Sequence, residues 1–255
     1  MTSTQVEPAT LVGIGAVRVI AVPGWMGDHR LFEPMVPLID PHLYRFAFLN
    51  PRGYGDRLQE NGPYTVGQIA ADILDCADRL GWKHFNVIGH SMAGMAVQRL
   101  LVDAPERIDT AILIAPVPAS GAKLTNERRA LLVEAVHSPD ARKRLIDANT
   151  GKTKPDTWLA RLRDVSVGGT RPDALEAYMA SWAGPGFEGE LKPSHVPVRV
   201  LLGELDPGAN PQALKDFLER NFSDLQISTL AKSGHYPMWE MPVECMQMLE
   251  GWILS

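Results

Sequence analysis

Cysteine is nearly absent from this chain: Cys76 and Cys245 are the only two in 255 residues, far apart and without metal-ligand spacing. That excludes a disulfide framework and gives no zinc pattern, so both thiols are expected to be reduced residues of helices or the core. Long apolar runs are missing too. Arg18 interrupts the first apolar stretch and Met1 to Pro8 has no basic leader, so the expectation is a cytoplasmic protein with no membrane partner. A net charge of −5 comes with no block of Lys and Arg, which argues against nucleic acid and favours a neutral or apolar small molecule. Repeats and low-complexity segments are also lacking. What is present is an ordinary globular composition, 45% hydrophobic and 22% charged. Its length suits one domain that carries an insertion.

Short apolar runs separated by breakers dominate the pattern. Val17 to Val22, ended by Pro23-Gly24, and Tyr44 to Leu49, ended by Asn50-Pro51, read as buried strands. Phe85 to Ile88, Thr110 to Ala115 and Val198 to Leu202 are further apolar runs that read as strands, and Leu225 to Leu230 alternates into a last strand. Helices are expected at Leu31 to Ile39, after Thr65 (with Ile69, Ile73, Leu74, Ala77 and Leu80 on one face, closed by Gly81), at Ala93 to Val102, at Pro211 to Asn221 and at Val243 to Leu254. In the last of these, Val243, Met246, Leu249, Trp252 and Ile253 fall along one side. Alternating strands and helices predict an α/β fold, a mostly parallel doubly wound sheet covered on both faces. Residues 117–197 break the alternation. Asn126 to His137, Pro139 to Asn149, Asp156 to Val165 and Pro172 to Trp182 all look helical with no strand between them, so 117–197 is expected to be a helical cap inserted into a core domain of 1–116 and 198–255.

The candidate chemistry lies in the loops that follow strands, where ligands bind in parallel sheets. Gly89-His90-Ser91-Met92-Ala93-Gly94 joins a strand to a helix, and a hydroxyl lifted on such a turn needs small residues two before and two after it. Gly89 and Ala93 meet that demand and make Ser91 a candidate nucleophile. A serine nucleophile needs a base and an acid that orients it. Gly203-Glu204-Leu205-Asp206-Pro207 follows one later strand and Ser233-Gly234-His235-Tyr236-Pro237 follows the last. His235 is the only histidine beyond the acid loop, whereas either Glu204 or Asp206 suits the acid. His90 points away from a nucleophile on such a turn and reads as structural, and Glu240 reads as a supporting or helix-start group.

With its loops in this order the chain resembles the α/β-hydrolase superfamily over nearly its whole length. Pro23-Gly24-Trp25 looks like that family's oxyanion loop, with proline in place of the commoner histidine, and Asn50-Pro51-Arg52-Gly53-Tyr54-Gly55-Asp56 resembles its Asp-x-Arg-Gly-x-Gly-x-Ser loop with Asn50 and Asp56 substituted. The resemblance implies a triad of Ser91, Asp206 and His235, with the backbone amides of Trp25 and Met92 as the oxyanion hole. Serine at the elbow disfavours the halide-displacing and epoxide-opening branches, which use aspartate there. The expected reaction is hydrolysis of a small hydrophobic carboxylic ester or a lactone, in a pocket lined by Trp25, Met26, Trp158, Tyr178, Trp182 and Met238. No metal ligand set and no phosphate-cradling glycine loop is visible, so no metal and no cofactor are expected. Carbon–carbon bond hydrolysis beside a ketone is the alternative reaction, and a ligand-binding receptor of the same fold is the alternative outside enzymes. Cofactor-free oxygenases of the fold are disfavoured, because no carboxylate follows Ala115-Pro116. The oligomeric state is open.

Overall fold

Apolar runs of five to seven residues, too short for helices that bury one face, satisfy their backbone by pairing side by side. In the computed structural model, which describes residues 9–208 and 211–255, they form a seven-stranded sheet. Met1 to Pro8, inspected above for a leader, lie outside the described residues. The strands are β1 (Thr10–Val12), β2 (Val17–Val22), β3 (Tyr44–Phe48), β4 (Phe85–His90), β5 (Ile108–Ile114), β6 (Val198–Gly203) and β7 (Leu225–Leu230), in the spatial order β1-β3-β2-β4-β5-β6-β7. Every neighbouring pair is parallel except β1 with β3. β1 escaped the sequence pattern, because three residues without a fully buried side chain leave no periodic signal.

Alternate residues of the central strands feed two separate cores, as the pleat requires. Ile20, Val22, Val87, Leu113 and Val200 pack on one face with the helices α1 (Val66–Arg79) and α2 (Met92–Asp103). Val19, Ala21, Ile88, Ile112 and Leu201 pack on the other with a 3₁₀ segment (His29–Leu38) and two C-terminal helices. The chain lays down β2, moves outward to β3, then crosses back to place β4 on the opposite side of β2. That reversal opens a crevice at the carboxyl ends of β2 and β4, the usual ligand position in such sheets.

Between β5 and β6 run four helices, α3 (Asn126–His137), α4 (Pro139–Asn149), α5 (Asp156–Gly169) and α6 (Pro172–Trp182), with no strand among the described residues of that stretch. Thr125 and Ser138 cap α3 and α4 by accepting hydrogen bonds from the amides of Arg128 and Ala141. After β6 come α7 (Pro211–Asn221), a single turn α8 (Pro237–Glu240) and α9 (Pro242–Ile253). On α9, Met246, Leu249 and Trp252 are buried as the periodicity predicts, whereas Val243 is exposed and Cys245 takes an inward position. Pro242 starts that helix, so Val243 falls in its first turn, before the face that meets the sheet. Leu31 to Ile39 is a run of 3₁₀ turns: Pro34 and Pro37 remove the amide donors a regular α-helix would use. Cys76 and Cys245 are both free and buried.

Candidate active site

Ser91 occupies the turn from β4 into α2 with φ of +53°, a region that residues bearing a Cβ enter only under constraint. Its own backbone supplies that constraint. The Ser91 amide donates to the carbonyl of Ile114, and its carbonyl accepts from the amides of Gly94 and Val117. The turn is so tight that a Cβ at position 89 would stand 2.5 Å from the carbonyl oxygen of Ala93, which gives Gly89 its physical reason. A Cβ at position 24 would stand 2.8 Å from that of Ser91, so the loop after β2 passes directly over the hydroxyl-bearing residue. Among the described residues the amides of Trp25 and Met92 donate to no protein acceptor, and Met92, the first residue of α2, has one of the amides that helix geometry leaves unused.

His235 brings the three widely separated side chains together. Its Nε2 lies 3.0 Å from Ser91 Oγ and its Nδ1 lies 2.7 Å from Asp206 Oδ2. The Asp206 side chain is almost wholly buried, and its other oxygen accepts from the amide of Gly208 at 2.8 Å. Burial works against the Asp206 charge, but the His235 ring, with the Gly208 amide and the Arg128 guanidinium, outweighs it and holds the carboxyl below its ordinary value. Glu204, the other candidate acid, is exposed and accepts from the amide of Lys232, away from the histidine.

The residues next to these three set the histidine loop. His90 Nε2 sits 2.8 Å from the carbonyl oxygen of His235, so that nitrogen is the donor. Burial, helped by the nearby His235 ring, pushes His90 down to about 3, which keeps it neutral. Its role is structural, as expected. Glu240 holds its carboxylate fully out of solvent and accepts from the amides of Gly234 and Tyr236, the two residues flanking His235, at 2.8 and 3.0 Å. From the helical insertion, Lys154 reaches Glu240 at 3.0 Å, and the carbonyl of Asn149 accepts from the His235 amide at 2.9 Å. Neither Lys154 nor Asn149 was visible as functional in the sequence. The sequence pattern marked Pro139 to Asn149 as helical but not what the far end of that helix would touch.

Ser91 and His235 open into a cavity of about 530 Å³, a size suited to a small molecule. Of the residues named for the pocket, Trp25, Met26 and Trp182 line this cavity, joined by Leu124, Leu132, Leu145, Leu214 and Phe217. Trp25 and Trp182 meet edge to face with centroids 5.8 Å apart, and the Trp25 indole donates to the carbonyl of Leu175. Three of the predicted pocket residues lie elsewhere. Tyr178 is fully buried between Tyr54 and Tyr64 with its hydroxyl donating to the carbonyl of Arg52, because it serves the joint between α6 and the loop after β3. Met238 is sealed in the core of the opposite sheet face, and Trp158 packs edge-on to Trp239 there. Each is large and apolar for packing reasons.

Fold, loop order and convergent geometry point to one class, and the comparisons agree. The sequence model of the alpha/beta hydrolase fold family matches residues 17–242, and the chain belongs to that family. A serine hydrolase-like protein of Danio rerio is 30% identical over 100 residues, covering 38% of this chain and 30% of that protein. The matches span about a third of the length of the first such curated relatives. Among solved structures, a bromoperoxidase from Bacillus anthracis superposes with a TM-score of 0.86 at 16% identity, covering 96% of this chain and 94% of that one. An enol-lactonase from Burkholderia xenovorans LB400 superposes with a TM-score of 0.79 at 21% identity, covering 96% and 95%. At these identities the likeness is one of fold. No helix among the described residues is long and apolar enough to cross a membrane, and no group of residues there has the spacing of a metal site.

Proposed function

We propose that the chain hydrolyses a small carboxylic ester or lactone through an acyl-enzyme on Ser91. The observation that carries this reading is the unbroken hydrogen-bonded series from Ser91 through His235 to Asp206, opening into a mostly apolar cavity. With Nδ1 donating to the Asp206 carboxylate, Nε2 is free to take the Ser91 proton as Oγ attacks the carbonyl carbon. The oxygen that gains negative charge then meets the amides of Trp25 and Met92, donors of a kind whose single loss typically costs about 10²–10³ in turnover. The imidazolium returns its proton to the leaving alcohol. Water, deprotonated by the same ring, releases the acid and restores the serine.

In this reading the helices of 117–197 are the cap over the cavity. An ester or lactone suits the family as a whole, and the enol-lactonase shares the fold. The test is to treat the purified chain with a fluorophosphonate probe and to assay aryl esters, lactones and vinylogous diketones in parallel. Label on Ser91 with rapid ester or lactone turnover is expected. Activity on diketones alone would move the reading to carbon–carbon bond hydrolysis, and label-free protein with no turnover would end it.

A further inference from the structure

Resting on that reading, we propose that the substrate carries a free carboxylate and that Arg128 binds it. Arg128 lies in the first turn of α3, is half-buried, and lines the same cavity as Ser91 and His235. Its only side-chain hydrogen bond among the described residues runs from Nη2 to the Asn149 side-chain oxygen, and no carboxylate pairs with it there. A guanidinium has five donors in a planar fork, and the Asn149 bond uses one of them.

Neither acid that lines the cavity forms an ion pair with Arg128 among the described residues. Asp206 is bonded to His235, and Glu188 faces Arg220 at 3.8 Å. Lys123 adds a second cation on the insertion side that makes no ion pair among the described residues. An unpaired, partly desolvated guanidinium is unfavourable in the empty protein, and burial pushes Arg128 below its ordinary value. A bound carboxylate removes that cost, and the fork of Arg matches its two oxygens bidentately. The position limits the ligand further. Arg128 bonds Asn149, whose carbonyl holds the His235 amide, so the carboxylate would sit close to the reacting carbonyl. That fits the monoester of a short dicarboxylic acid or a lactone with a short carboxylate arm.

The rival role for Arg128 is positional, holding Asn149 and supporting the Asp206 charge without touching substrate. The two roles separate on a matched pair of ligands: an aryl monoester of a short dicarboxylic acid, and the same ester with its distal carboxylate methylated. Binding of both is titrated calorimetrically to the full chain carrying Ser91→Ala, alone and combined with Arg128→Met or Arg128→Lys, with folding checked by circular dichroism. The Ser91→Ala protein is expected to prefer the free carboxylate by roughly 10- to 100-fold, Arg128→Met to bring that ratio close to one, and Arg128→Lys to keep part of it. No preference in the Ser91→Ala protein, or an equal loss on both ligands with Arg128→Met, would overturn the proposal. Turnover of the same pair by the unmodified chain tests the hydrolase reading separately. Carboxylate-selective binding without turnover would leave the Arg128 site standing and remove the reaction.

Discussion

The sheet and the helical insertion bury their residues in different ways, and the site is built where the two meet. All six residues of β4 are buried, whereas α3 buries only Leu132, Ala135 and Val136 of its twelve. The buried strands β4 and β6 and the half-exposed edge strand β7 hold the loops that carry Ser91, Asp206 and His235 in register by main-chain pairing. The insertion instead reaches the site through single side chains and helix ends: the Asn149 carbonyl at the end of α4, Lys154 beyond it, Trp182 at the end of α6. In the proposed reading the sheet supplies the reacting groups, and the helices of 117–197 supply what aligns and surrounds them.

The largest expected effect comes from the sheet side. Ser91→Ala is predicted to lower turnover of an aryl ester by roughly 10⁴-fold or more with an unchanged thermal midpoint, since it removes one oxygen at the cavity wall and keeps a small residue at the turn. Asp206→Asn is predicted to cost roughly 10⁴ in kcat, whereas Glu204→Gln leaves turnover near that of the parent. The reverse result would exchange the two acids. Glu240→Gln cuts across the boundary between the two regions. It turns an acceptor of two amides and an ammonium into a poorer one, lets the His235 loop drift, and is expected to lower kcat by roughly 10²-fold with less change in KM. Lys154→Met weakens the same joint from the insertion side and should follow in direction with a smaller loss.

Two further changes sharpen the contrast through stability. The Arg142 guanidinium is buried and donates to the carbonyls of Ala135, Val136 and Ser166, joining the end of α3 to α5. Arg142→Met leaves those acceptors bare and is predicted to cost about 1–3 kcal/mol in urea unfolding, with hydrogen exchange rising in α3 to α5 before the strands. The smallest effect is expected at Asp72 on α1. Burial opposes its charge, but Arg52, Arg57 and Gln68 hold its carboxyl below the ordinary value. A folded-state pKa lowered in this way gives stability that is present above the unfolded value and is lost as the pH falls through the folded one. Asp72→Asn should therefore flatten the acid limb of the stability curve and leave the neutral region nearly parallel. An unchanged acid limb would locate that pH dependence in other groups.

Most strands and helices were legible in the chain because each burial mode leaves its own period. Short, mainly apolar runs marked β2 to β6, alternation marked β7, the apolar face after Thr65 marked α1, and the helical pattern with no intervening strand marked the helices of 117–197. Ser91, His235 and the loop that holds both Glu204 and Asp206 were legible because each lies in the loop after a strand, with glycine or proline nearby setting the turn. The pocket wall was not. Trp158, Tyr178 and Met238 share size and polarity with Trp25, Met26 and Trp182, and residue type carries no information on which way a helix is rolled. Arg128 and Asn149 look like any polar residues of an exposed helix, since the surface they face is made by a loop more than 80 residues away in sequence.

By itself the sequence settled which segments form strands and helices, where the chain turns, and which hydroxyl, imidazole and acidic loop stand at strand ends, because those properties are local and follow from backbone sterics and hydrophobic period. Tertiary structure alone decided which acid faces the ring, which aromatic side chains border the cavity and which cations on its wall make no ion pair among the described residues. Those outcomes depend on distances between elements far apart in the chain, and such distances are fixed only when the whole core packs at once.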